Sequence, residues 1–86
     1  MEQLKLLRYQ FIRRLAERTD RKGNPVPFDI EYICMDGNVM KAEGVITTSV
    51  DVRHKRRNIR ILSSGEVRTI RDVLVTRIND TKIVVN

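Results

Sequence analysis

The chain has little of what most chemical sites are built from. Its 86 residues include one cysteine and one histidine. A lone cysteine, Cys34, excludes an internal disulfide, and one Cys with one His cannot complete a four-ligand structural zinc site. Aromatic residues make up 5%, namely Tyr9, Phe11, Phe28 and Tyr32. Phe11 and Phe28 read as core, which leaves too few free rings for a base-stacking platform. No apolar run approaches the roughly 20 residues of a membrane-spanning helix. The N-terminus lacks the unbroken apolar stretch and small-residue cleavage site of a secretory signal, so the cytoplasm is the expected compartment and no membrane partner is expected. The glycine loop that cradles nucleotide phosphates is missing too. No cofactor, metal or small-molecule substrate is therefore expected.

What is present suffices for one domain, residues 1–86. Hydrophobic residues reach 41%, rich in Ile and Val, so a core needs neither metal nor disulfide. The net charge is +6 and unevenly spread. Residues 1–22 carry seven basic and three acidic side chains, and residues 23–52 carry one and five. Residues 53–60 carry five basic and no acidic ones, and residues 61–86 carry four and three. Cations concentrated at one end and in one eight-residue stretch point to an anionic partner, of which nucleic acid is the commonest.

Leu4, Leu7, Phe11 and Leu15, with Ile12 beside them, recur at helical spacing. This predicts an amphipathic helix over residues 1–22, stopped by Gly23 and Pro25 and covering one face of a sheet. From Pro27 the period becomes two. Phe28, Ile30, Tyr32 and Cys34 read as the inner face of a strand, and Asp36-Gly37 as a tight hairpin turn with both central residues at positive φ. A long strand follows from about Val39 to Val50, with Gly44 marking a bulge or bend near its middle. Residues 51–58 read as an exposed loop. Shorter strands are expected at 58–62, 66–70, 73–78 and 81–85, with turns at Ser63-Ser64-Gly65 and Asn79-Asp80. The expected architecture is α+β: one N-terminal helix packed on a small, strongly bent, mostly antiparallel β-barrel of five or six strands, residues 27–86.

No catalytic constellation emerges. His54 lies in the basic loop without an evident nucleophile or carboxylate partner, and Cys34 falls on the apolar face of its strand. Asp29, Glu31 and Glu43 read as acids of a solvated strand face. The richer feature is the series Arg53, Arg56, Arg57, Arg60, Arg68 and Arg71. With a three-residue loop at Ser63-Ser64-Gly65, Arg60 faces Arg68 on the outer side of a hairpin, while Ile59, Ile61 and Val67 point inward. Facing like charges destabilise a ladder mildly, and a bridging anion relieves them. Guanidinium groups suit bidentate contact with phosphate. The candidate nucleic-acid-binding residues are Arg53, Lys55, Arg56, Arg57, Arg60 and Arg68, with Arg14 and Arg18 as additions.

The order of a helix and then five strands with a long bent second one resembles the Sm-like small β-barrel proteins over roughly residues 4–86. Asp36-Gly37 stands at that family's first tight turn, Gly44 at the glycine of its second strand, and Asp51 near its acidic loop position. His54 stands close to the family's loop Asn, Asn79-Asp80 occupies the turn that bears its Arg-Gly signature, and the bacterial RNA-chaperone branch's Tyr/Phe-Lys-His signature has no counterpart. The resemblance implies ring assembly and RNA binding. The stretch from Arg57 to Arg71 also resembles small uncharacterised bacterial proteins associated with mobile elements, which implies an accessory role in nucleic-acid handling.

The sequence thus leads to a non-enzymatic, low-specificity nucleic-acid-binding module that contacts the phosphate backbone. The alternative is a protein–protein adaptor or homo-oligomer subunit using the last strand, Lys82-Ile83-Val84-Val85, as an open edge.

Overall fold

Period-two alternation builds most of the molecule. The computed structural model describes residues 10–83, so Leu4, Leu7, Tyr9, Val84 and Val85 lie outside the described residues. Six strands follow in chain order: β1 (Phe28–Ile33), β2 (Val39–Asp51), β3 (Arg56–Ile61), β4 (Val67–Arg71), β5 (Val75–Ile78) and β6 (Thr81–Lys82). They form one antiparallel sheet in the order β4-β3-β2-β1-β5-β6. A helix, α1, covers residues 10–16 of the described chain, and a 3-10 turn, Asp72–Leu74, leads into β5. One helix on a six-stranded antiparallel sheet is the expected arrangement. Among the described residues no pairing joins β4 to β6, so the sheet is open.

Gly44 governs the shape of β2. Phe28 pairs with Val45 but Ile30 with Ala42, so β2 carries one extra residue there. Gly44 has φ +62°, a conformation that costs a residue with a Cβ. The Asp29 carboxylate accepts the Gly44 N–H at 3.0 Å and fixes the bulge. Beyond it β2 turns away from β1 and runs along β3, from Val45 opposite Ile61 to Asp51 opposite Arg56. A bulge at this glycine is what its mid-strand position implies.

The β1–β2 turn is one residue longer than the Asp-Gly pair suggests. Cys34 N–H donates to Asn38 O at 2.8 Å and Gly37 N–H to Cys34 O at 2.9 Å, which closes a loop of Met35, Asp36 and Gly37. Only Gly37 has positive φ. Asp36 instead uses its carboxylate to accept the Asn38 N–H at 3.0 Å.

The core gathers on one face. It comprises Ile12 and Ala16 from α1, Phe28, Ile30 and Tyr32 from β1, and Ala42 and Val45 from β2, joined by Ile59, Ile70, Val75, Ile78 and Ile83. Full burial of Ile12, Val45, Ile59, Val75 or Ile78 contributes roughly 1.5–3 kcal/mol each. Cys34 is half-buried against this cluster. Phe11, expected inside, is 43% exposed. The helix is turned so that Ile12 and small Ala16 face the sheet, and the Thr47 hydroxyl donates to Ala16 O at 2.8 Å. A bulky side chain at 16 would hold the helix off this contact.

Candidate functional site

The basic stretch begins on a turn, residues 52–55, organised by Asp51. One carboxylate oxygen accepts the His54 N–H at 3.2 Å. The other meets His54 Nδ1 and Arg56 Nη2, each at 2.9 Å. His54 therefore has a carboxylate partner after all, three residues upstream. Lys55 takes a left-handed φ of +53°, and its carbonyl accepts the Asp72 N–H at 2.9 Å, tying the turn to the 3-10 segment. Arg56 and then His54 hold the Asp51 carboxyl at about 2, below its usual 3.8. Arg53 and Lys55 are exposed and form no ion pair among the described residues.

From Arg56 the chain is already strand, so the exposed loop ends earlier than expected. Alternation then sends consecutive arginines to opposite faces. Arg57 points into the core and is 1% exposed, which removes it from any phosphate-binding surface. Its Nε donates to Asp72 Oδ1 at 2.6 Å and its Nη2 to Asp72 Oδ2 at 2.9 Å. Nη1 donates to Thr47 Oγ1 at 3.3 Å, and Glu17 Oε2 lies 3.5 Å from Nη2. Asp72 is itself 2% exposed.

The β3–β4 register also differs from expectation. Ile61 N–H donates to Glu66 O at 2.8 Å and Gly65 N–H to Ile61 O at 2.7 Å. The hairpin loop therefore holds four residues, Leu62 to Gly65, with Gly65 at φ +74°. Arg60 faces Val67 and Ile59 faces Arg68, so Arg60 and Arg68 are on opposite faces. Val67 points outward and is 50% exposed. Arg68 lies at the margin of the core face and donates to Glu66 at 3.2 Å; Tyr32 and Glu66 hold its guanidinium still more firmly protonated. The two arginines that do face each other are Arg56 and Arg71.

The outer face of β2, β3 and β4 is thus built in rows. Asp51, Arg56 and Arg71 form one. Ser49, Asn58 and Thr69 form the next, joined by hydrogen bonds from Thr69 Oγ1 to Asn58 Oδ1 (2.6 Å) and from Asn58 Nδ2 to Ser49 Oγ (2.9 Å). Arg60 lies in the third, between Ile46 and Val67. An open depression of about 260 Å³ lies over the first two rows. A second, of about 230 Å³, lies where the chain after α1 meets β2, with Arg18, Thr19 and Thr48 in its wall. Ser49 lines both. Arg14 is exposed on α1.

The acids of the first hairpin have structural tasks. Asp29 fixes the bulge, while Glu31 accepts from Thr76 Oγ1 at 3.0 Å and lies 3.9 Å from Lys41 Nζ. Among the described residues no group of three or more His, Cys, Asp or Glu side chains could hold a metal ion, and no helix is long and apolar enough to cross a membrane. No protein-family model, curated protein or solved structure matches this chain.

Proposed function

We propose that the protein is a non-enzymatic module that binds the nucleic-acid backbone with low sequence specificity. One observation carries this reading. Arg53, Lys55, Arg56, Arg60 and Arg71 share the β2–β3 turn and the outer face of β3 and β4, and Asp51 is the single carboxylate in those rows. Excess cations without matching acids favour a polyanion, whose counterions they displace. Guanidiniums and hydroxyls on a sheet face contact phosphates and sugars, which carry no sequence information. Closure of the open sheet into an Sm-like small barrel belongs to the same proposal, as does assembly of several copies, which would multiply these contacts.

Fluorescence anisotropy with labelled single-stranded and duplex oligonucleotides, across a salt series, tests the reading. The variant with Arg53, Lys55, Arg56 and Arg60 all changed to Ala is expected to lose affinity, with the salt slope shallower by about 3. Absence of wild-type binding even at low salt overturns it. A second reading, an adaptor or self-associating subunit, draws on the sheet edges β4 and β6 and on exposed Leu62 and Val67 beside the former. Concentration-dependent light scattering without oligonucleotide distinguishes it.

A further inference from the structure

The row beside the Arg56–Arg71 pair has a fixed direction. The Thr69 hydroxyl gives its proton to the Asn58 carbonyl oxygen, so the Asn58 amide nitrogen faces β2 and donates to Ser49 Oγ. Each step consumes an acceptor. The chain ends with the Ser49 hydroxyl proton, which meets no acceptor among the described residues. Ser49 is also the one residue that the two depressions share. To one side of it stand Arg56 and Arg71, with Asp51 engaging only Arg56. To the other side stands Arg18, exposed and without an ion pair among the described residues.

These features call for a ligand that accepts hydrogen bonds, carries negative charge and repeats. A neutral sugar would satisfy Ser49 but leave the guanidiniums uncompensated. A single oxyanion would satisfy one side of Ser49. Arg71 and Ser49 are two strand spacings and one row apart, about 12 Å, and Arg18 lines the second depression beyond Ser49. We infer that this line is a track for successive phosphates of one nucleic-acid strand, crossing β4, β3 and β2 from Arg71 past Ser49 to Arg18. The inference rests on the backbone-binding reading, adds Ser49 to it, and joins Arg71 and Arg18 into one path. It also assigns the direction in which the strand lies, across the β-strands.

The test measures binding of a labelled single-stranded oligonucleotide over a salt series for Arg18→Ala, Ser49→Ala, Ser49→Thr, Arg71→Ala and, as a cation away from the track, Arg77→Ala. Arg18→Ala and Arg71→Ala are each expected to reduce the salt slope by about 0.7. Ser49→Ala is expected to weaken binding roughly 3- to 10-fold with the slope unchanged, because a neutral donor is lost. Ser49→Thr keeps the hydroxyl and is expected to restore affinity, and Arg77→Ala to leave both quantities at the wild-type value. If the wild type binds and the variant with Arg53, Lys55, Arg56 and Arg60 changed to Ala does not, but Arg18→Ala and Ser49→Ala behave like Arg77→Ala, the track is wrong while the nucleic-acid reading survives. If the wild type fails to bind, both fall.

Discussion

Arg56 and Arg57 are neighbours in the chain and opposites in the molecule. Arg56 looks outward and shares one carboxylate with His54. Arg57 looks inward, fully buried, with both oxygens of Asp72 and the hydroxyl of Thr47 around its guanidinium. A charge taken out of water is tolerated only with dedicated partners, so the inner arginine is locked in one geometry. It joins the end of α1 through Glu17, β2 through Thr47, β3, and the 3-10 turn through Asp72. The outer arginine can exchange Asp51 for another anion at little cost, since exposed ion pairs contribute about 0–1 kcal/mol. Two residues of one type, adjacent in sequence, thus divide into a structural clasp and a binding group according to the face they occupy.

Cutting the clasp should give the largest effect. Asp72→Ala leaves the buried Arg57 charge without its bidentate partner, with only the more distant Glu17 carboxylate at 3.5 Å, and we expect a loss of about 3–5 kcal/mol in urea unfolding. The paired change Arg57→Met with Asp72→Leu removes both charges and should recover most of that loss. A double variant no better than the single one would mean that the clasp does more than satisfy itself. Arg56→Ala should cost less than about 1 kcal/mol by the same measurement.

A smaller loss is expected at Gly44, whose bulge sets the phase of β2 against β1, ahead of the second irregularity at Thr47–Ser49 that brings Val50 opposite Arg57 and Asp51 opposite Arg56. A Cβ there would touch nothing within 4 Å, so the penalty of Gly44→Ala is conformational. We expect about 1–2 kcal/mol, less for Gly44→Asn. A change near zero would show that the bulge adapts.

The elements that carry local rules were legible in the sequence. Alternation located β1, and Gly44 announced its bulge, because both signals depend on residues close in the chain. The core face of α1 differs from the sequence pattern at Phe11, since its spacing with Leu15 suggests burial, whereas Ala16 decides how closely the helix approaches the sheet. Arg57 could not be separated from Arg56 by composition, for Asp72, its partner, is fifteen residues away and meets it only once β3 is in place. The facing pair Arg56–Arg71 was hidden by the β3–β4 loop, where one added residue exchanges the faces of every residue in β4. His54 with Asp51 was within reach of the sequence, because an Asp that accepts a nearby downstream N–H is a common turn device.

The finest comparison concerns Asp51, the carboxylate that tempers the outer face. Asp51→Asn keeps the oxygen that accepts the His54 N–H and removes only the charge. Freed from its counter-ion, Arg56 becomes available to phosphate, so polyanion binding should tighten, the reverse of every arginine variant. Stability should respond with a defined pH dependence. The Asp51 carboxyl titrates at about 2 in the folded protein against an ordinary 3.8. Its folded value is the lower one, so its stabilising contribution is present above the ordinary value and vanishes as pH falls through the folded one. The midpoints of wild type and Asp51→Asn in urea should therefore differ most above about pH 4 and converge near pH 2. The other carboxylates titrate in both proteins and cancel in the difference. A gap that stays constant from neutral to acid pH would mean that Asp51 holds the turn by hydrogen bonds alone, and that its charge tempers only the ligand.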